Sequence, residues 1–561
     1  MRRNKHLILW SSLGSLVLLM WAAYEENALQ DWRIFQTEYR SRLAAADAAE
    51  FSVELRQIVV PGLGAADRCV SCHLGMAAGV EAISGDPLFG PHSAIPHDPM
   101  EFGCTSCHGG QGRATARADA HGDVDHWPEP MLPARYSSAG CGTCHTHLAI
   151  PNIDQVNRDL ALLERHDCLA CHRLDGRGGT FRPGSAAGMA GMEGPDLSRV
   201  GMMGFSPGWY EGHLEEHRAA SEGPWRHSFG EVSEASRHSI ETYLRTRSGA
   251  PDLVDAKALF HSAGCRGCHS VGGVGGDDGP DLTAEGLLDP GLLDFSHVPG
   301  EHTVENWLAE HFRSPAKVVP GSQMPVLGLS EAQIEKLTFY LLSLRRRISA
   351  EGEWPMDRVR AERLDEREFS TDPQTLYRAF CSACHGPNGE GMRYPGMAAF
   401  PAIGNTEFLA IASDDFLRET IRHGRPGRRM PAWGDKEGGL REEEIEAIIG
   451  HLRSLGGGAR PAEDGRPARW ASGDLNLGGS LFTRHCAGCH DKAGRGLEGP
   501  ALANPNLLRS ASDTYMFETI RRGRPGTSMP SFGRPSTLRP ALTDAEIESL
   551  VTFLRTWEAK L

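Results

Sequence analysis

Asp255–His269 reads DAKALFHSAGCRGCH: a short, largely apolar run into two cysteines separated by two residues, with a histidine directly after the second. The same Cys-x-x-Cys-His ending occurs seven times and uses all 14 cysteines of the 561-residue chain. The pairs are Cys69 and Cys72, Cys104 and Cys107, Cys141 and Cys144, Cys168 and Cys171, Cys265 and Cys268, Cys381 and Cys384, and Cys486 and Cys489; the histidines are His73, His108, His145, His172, His269, His385 and His490. In this pattern both thiols add across the vinyl groups of a haem, and the histidine ligates its iron. Zinc knuckles and disulfide frameworks also place cysteines in pairs. Neither demands a histidine after every second cysteine, so seven covalently bound c-type haems are the expectation.

Apolar residues make up 40% of the chain, with 66 glycines and 35 prolines. That composition suits small, loop-rich modules whose core is partly the porphyrin. Such modules are stabilised by a ligand that only the native state binds. The formal charge of −15 argues against nucleic acid and anionic lipid surfaces as partners, and is compatible with a basic docking protein. Leu7–Ala23 is an uncharged apolar run behind Arg2, Arg3 and Lys5. A cleaved leader and a retained anchor are the two readings. The run is nearly long enough to span a bilayer, and bulky Trp21 is a poor −3 residue for cleavage after Ala23, which favours the anchor. Either way the haem-bearing part is exported, to the periplasmic side of a bacterial inner membrane.

Trp32, Phe35, Tyr39 and Leu43 recur at helical spacing, so a membrane-proximal helix follows. It either meets a partner subunit or covers the first haem. Three motifs crowd between Cys69 and His145, too little chain for three independent folds, so a compact tri-haem module with sparse secondary structure is expected. Beyond Cys168 the motifs spread out and a unit repeats: a helix into the motif, a Gly/Pro loop, and a closing amphipathic helix such as Ser330–Leu344 (SEAQIEKLTFYLLSL). Glu419–Gly434 (ETIRHGRPGRRMPAWG) and Glu518–Gly533 (ETIRRGRPGTSMPSFG) are near copies. The expected fold is therefore mainly α, with one N-terminal transmembrane helix, a loop-rich tri-haem module and four tandem α modules strung like beads. The boundaries read 1–24 (cytoplasmic tip and anchor), 25–66 (membrane-proximal helix), 67–150 (tri-haem module), 151–249, 250–349, 373–456 and 474–561 (one haem each). Charge-rich 350–372 and Gly/Pro/Arg-rich 457–473 are linkers.

Methionine sulfur on the second face of a haem gives a higher potential than a second histidine. Met-Pro pairs follow three motifs, at Met324, Met430 and Met529; the proline fixes its own φ and stiffens the ligand loop. A lone methionine is more often core packing, but the recurrence marks these three as ligands. The Cys168 unit lacks Met-Pro. His227 stands as far beyond His172 as Met324 stands beyond His269, so His227 is the expected ligand there, with Met202, Met203 and His217 as alternatives. For the tri-haem module the pool is His92, His97, His121, His126, His147 and His166, with Met131. His97 and His121 are the first choices, and bis-histidine ligation is expected for most of these haems.

On the haem motif, the Met-Pro loop and the closing helix together, residues 160–561 resemble tandem class I cytochrome c domains. That resemblance implies small all-α modules that carry electrons and do no other chemistry. Phe102–Trp127 (FGCTSCHGGQGRAT…AHGDVDHW) is similar to part of the membrane-anchored multihaem cytochromes that accompany bacterial bc-type complexes. It implies integral-membrane, quinol-oxidising partners and a downstream acceptor, either a terminal oxidase or a periplasmic carrier. The leading expectation is an electron-transfer subunit with no catalytic residue. The alternatives are a multihaem peroxidase or nitrogen-oxide reductase with an open haem site in the tri-haem module, and a scaffold that holds redox partners together.

Overall fold

The computed structural model describes residues 2–146, 148–179, 194–219, 232–345, 352, 354–462, 464–525 and 527–558. Helices and irregular loops dominate. Among the described residues the strands form three small antiparallel hairpins: Ile58–Val60 with Ala65–Asp67, Arg173–Leu174 with Arg177–Gly178, and Ser270–Val271 with Val274–Gly275. The chain begins with the helix Arg2–Ala28, of which Asn4–Ala28 is long and apolar enough to cross a membrane and packs against nothing.

The next helix, Asp31–Arg42, buries Trp32, Gln36 and Tyr39. Gln36 donates to the carbonyls of Glu54 (2.8 Å) and Ser71 (3.0 Å), and Tyr39 donates to that of Glu81 (2.6 Å). Ser71 lies inside the first motif. Of the two roles open to this helix, covering the first haem site is the one the packing supports.

Most helices leading into or closing a later module start where the sequence provides a cap. Asn152, Asp372 and Asp474 accept from backbone N–H groups at the entry helices, and Ser330 and Thr543 form capping boxes with Gln333 and Glu546. The entry helix Pro251–Ser262 is exceptional because it is buried on every side, Lys257 and His261 included. It packs against the closing helix Glu331–Ser343, the helices Ile153–Arg165 and Pro373–Phe380, and the third motif's segment Ala134–Thr143. Two of its buried polar groups reach backbone: Lys257 Nζ donates to the carbonyls of Thr146 (3.1 Å) and Leu148 (3.0 Å), and His261 Nδ1 lies 3.1 Å from that of Ile150.

This packing departs from a string of beads. One apolar core runs from Leu132 to Leu344, and a second from Phe369 to Leu554, so each serves more than one motif. Both stretches read as linkers are held down as well. In the first, Phe369 is 1% exposed and Arg367 donates to Glu444 (2.6 Å); in the second, Trp470 and Ala471 donate to Asp513 (2.7 and 2.8 Å). Charge and glycine content signalled connectors, but not that their arginines and aromatics have specific partners.

Candidate haem attachment and axial-ligand sites

All seven motifs adopt the same turn. The histidine N–H donates to the carbonyl of the first cysteine at 2.9–3.0 Å, from His73 on Cys69 to His490 on Cys486. One helical turn sets the two sulfurs and the imidazole on one side, the arrangement a single porphyrin edge and its iron require.

In four motifs the imidazole is oriented by a proline carbonyl. Nδ1 of His172, His269, His385 and His490 lies 2.8–2.9 Å from the carbonyl oxygens of Pro195, Pro280, Pro401 and Pro500. An Nδ1–H donated there leaves Nε2 as the metal-binding nitrogen. Burial is the main cause that lowers the pKa of His269, His385 and His490, which keeps them neutral and competent as ligands. Ahead of three of these prolines is a glycine with no room for a side chain. A Cβ at Gly194, Gly279 or Gly499 would lie 2.4–2.7 Å from the ring of His172, His269 or His490. Gly279→Ala is therefore expected to turn His269 and reduce covalent haem by about one per chain in a pyridine haemochrome assay. Gly450→Ala, with nothing within 4 Å of the new Cβ, should keep the full haem content.

Histidines outside the motifs stand opposite four motif histidines. Ring centres are 6.5 Å apart for His73 and His121, 6.1 Å for His92 and His108, 6.1 Å for His97 and His145, and 6.2 Å for His172 and His213. Two metal–nitrogen bonds of about 2 Å plus a ring radius at each end give about 6 Å, so these gaps fit an iron between two Nε2 atoms. Direct stacking would bring the rings closer. Among the described residues no three or more His, Cys, Asp or Glu side chains form a metal-ion cluster, so a zinc-knuckle arrangement is not found.

Residues 370–452 and 473–554 each match the family described as cytochrome c oxidase, cbb3-type, subunit III, and residues 253–345 match cytochrome c. The chain is 30% identical over 179 residues to the cbb3-type cytochrome c oxidase subunit FixP of Bradyrhizobium diazoefficiens, covering 30% of this chain and 56% of that protein. It is 25% identical over 240 residues to subunit CcoP of Cereibacter sphaeroides, covering 41% of this chain and 72% of that protein. Chloroplastic cytochrome c6 of Arabidopsis thaliana is 36% identical over 93 residues, 15% of this chain and 51% of that one. The chain thus spans little more than half the length of the first of these relatives. This chain is a multihaem c-type cytochrome.

In this cytochrome, His97 and His121 each face a motif histidine, and so do His92, one of a wider pool in sequence, and His213, which the sequence reading passed over. Trp209 and His213 stack at 5.2 Å on the helix Pro207–Ala219, as Trp307 and His311 do at 5.1 Å on Val304–Arg313, so that spacing does not by itself mark an axial ligand. His227 and His147 lie outside the described residues, and the side chain of His217 is likewise not described. His126 and Met203 are exposed, Met131 is largely so, and His166 and Met202 are half-buried. Met324, Met430 and Met529 are half-buried, the first two packed against the two cores. Met430 and Met529 close matching loops, accepting from Arg425 N–H (2.8 Å) and Arg524 N–H (3.0 Å).

Neighbouring motifs touch through their cysteines. The Cys69 and Cys104 thiols pair, and so do Cys268 and Cys384; within each pair the mutual contact and burial hold the second thiol far above its usual range. Burial, with Cys141 and Cys144 nearby, pushes Cys107 up to about 11. Isolated burial pushes Cys381 up to about 12. Thiols so protonated are poor thiolate ligands. The contacts bring the attachment points of the first and second, second and third, and fifth and sixth motifs together.

Proposed function

We propose that the cytochrome is a membrane-anchored heptahaem electron conduit. It receives electrons from a quinol-oxidising respiratory complex through its N-terminal haems and delivers them from its C-terminal modules to a terminal oxidase or a periplasmic carrier. Each CxxCH motif holds one haem through its two cysteines and its histidine. The second ligands are His121, His92, His97 and His213 for the irons of His73, His108, His145 and His172, and Met324, Met430 and Met529 for those of His269, His385 and His490. Haem supplies the one-electron chemistry; the protein sets the potential through ligand identity, burial and spacing. Transfer from bis-histidine to His/Met centres is downhill, which gives the direction. The helix Asn4–Ala28 is the anchor, with its basic end in the cytoplasm and the haem modules in the periplasm. The sulfur contacts between successive motifs carry this reading, because electron transfer over several centres needs closely spaced cofactors and no substrate pocket.

Low-temperature EPR with a redox titration on the purified, anchored protein tests it. Four low-potential bis-histidine haems and three higher-potential His/Met haems are expected, all low-spin. The ligand planes are near-parallel for His73/His121 (26°) and His97/His145 (23°) and crossed for His92/His108 and His172/His213 (59° each). Crossed planes leave the iron d orbitals closer in energy, so two of the four bis-histidine signals should show larger g anisotropy. A persistent high-spin haem that shifts on adding nitrite or peroxide would replace the conduit with a multihaem reductase or peroxidase.

A further inference from the structure

We propose that Asp357 is a tuning residue for the third haem, a carboxylate set behind its proximal histidine to hold that iron at a lower potential than its bis-histidine neighbours. Nδ1 of His145 lies 3.4 Å from Oδ1 of Asp357, with the side chains 10% and 9% exposed. Neither oxygen of Asp357 has a hydrogen-bond partner, and neither does Nδ1 of His145. The contact is the outward-facing side of an axial ligand: with Nε2 turned to iron and toward His97, the ring can present only Nδ1–H to the carboxylate. At four other motifs the same position is filled by a neutral proline carbonyl at 2.8–2.9 Å. The third haem thus differs from these in the charge of the group behind its ligand.

Asp357 comes from a distant part of the chain. It sits in the first turn of the helix Met356–Leu364, in the stretch between the fifth and sixth motifs that reads as a linker. Lys257 feels the charge of Asp357 but gives its hydrogen bonds to the carbonyls of Thr146 and Leu148, and the Arg358 guanidinium lies 4.1 Å over the Trp354 ring. A buried carboxylate facing an imidazole N–H draws the proton toward itself and makes the ring a stronger donor. That stabilises iron(III) relative to iron(II), and low exposure leaves the effect weakly screened. Reduction remains a one-electron step in which no bond forms or breaks. The consequence is a low-potential step within the tri-haem module, where an electron resides least.

The inference rests on His145 and His97 being the ligands of the third haem, as proposed above. The test is a spectroelectrochemical titration, with EPR at each potential, of the full haem-loaded chain carrying Asp357→Asn or Asp357→Glu. Asp357→Asn should raise the potential of one bis-histidine haem by tenfold or more in its Fe(II)/Fe(III) ratio, about 59 mV for one electron, and leave the other six in place. Asp357→Glu, which keeps the charge, should stay near the parent value. An unchanged set of potentials in Asp357→Asn at full haem content overturns the proposal, as does an equal shift in both variants or haem loss without a shift in the chains that remain loaded. Failure of the ligand assignment itself would show differently, as a missing near-parallel bis-histidine signal in the unsubstituted chain.

Discussion

Replacing His213 by alanine is expected to convert the fourth haem from low-spin to five-coordinate high-spin, while His227→Ala leaves it low-spin. The ring of His213 stands 6.2 Å from that of His172, and Trp209, one turn earlier on the same helix, stacks on it at 5.2 Å and 8°. That stack holds one rotamer toward His172, so removing the imidazole is expected to open a position on the iron. Carbon monoxide reports the change directly. The reduced parent chain, with every iron six-coordinate, should bind close to none, and His213→Ala should bind about one per chain with a high-spin EPR signal in place of one strongly anisotropic low-spin signal. Carbon monoxide binding in His227→Ala and not in His213→Ala would return the ligand to the position that sequence register picks out.

The attachment motif is the most legible part of the sequence because covalent haem binding needs five contiguous residues, and all seven copies adopt one turn. Nothing comparable marks the second ligands. An iron's far side is reached by whichever segment packs across it: the ligand set proposed above takes His213 from the helix before the Met-Pro position, whereas counting residues from His269 to Met324 points to His227, which lies outside the described residues. His92 could not be ranked above His126 from spacing alone, since loop geometry, not periodicity, turns it toward His108. The repeated helix–motif–loop–helix unit was also readable, but the sharing of cores was not. Pro251–Ser262 carries a histidine and a lysine, the latter a residue type that ordinarily faces solvent. Instead, Lys257 and Nδ1 of His261 reach the carbonyls of Thr146, Leu148 and Ile150, which lets the helix be buried on all sides. Those acceptors are more than a hundred positions away in the chain. The proline carbonyls behind His172, His269 and His490 lie nearer to hand, in GPD and GPA stretches whose glycine leaves room for the ring.

Arg555→Met is expected to cost about 3–5 kcal/mol in the last module, the range for breaking a buried charge pair from one side. Nε of Arg555 donates to Asp513 Oδ1 (2.7 Å), Nη2 to the carbonyl of Ala511 (2.6 Å), and Nη1 to that of Leu508, so one guanidinium ties the end of the closing helix to the turn before Asp513–Arg522. Asp513 is 1% exposed and also accepts from the N–H groups of Trp470 and Ala471, which places the second linker in the same network. The sister module repeats the device. Arg453 donates to Asp414 Oδ1 (2.7 Å) and to the carbonyls of Leu409 (2.7 Å) and Ala412 (2.6 Å). A methionine would fill much of the volume but take the guanidinium from buried Asp513 Oδ1, while the carbonyls of Leu508 and Ala511 would be left with Arg469 as a side-chain donor. A multihaem chain with shared cores will not unfold in one step, so native-state hydrogen exchange on the haem-loaded protein is the measurement. Amides of Asp513–Arg522 and Asp544–Arg555 should lose about two to four orders of magnitude of protection, and the exposed-site control Arg509→Ala should lose almost none. Asp513→Asn keeps one acceptor oxygen but turns an NH2 toward either Arg555 Nε or the N–H groups of Trp470 and Ala471, so it should also lower protection in this module. If Arg555→Met exchanges like the Arg509 control, the guanidinium is dispensable, and the closing helix is held by Ile547, Leu550, Val551 and Leu554 alone.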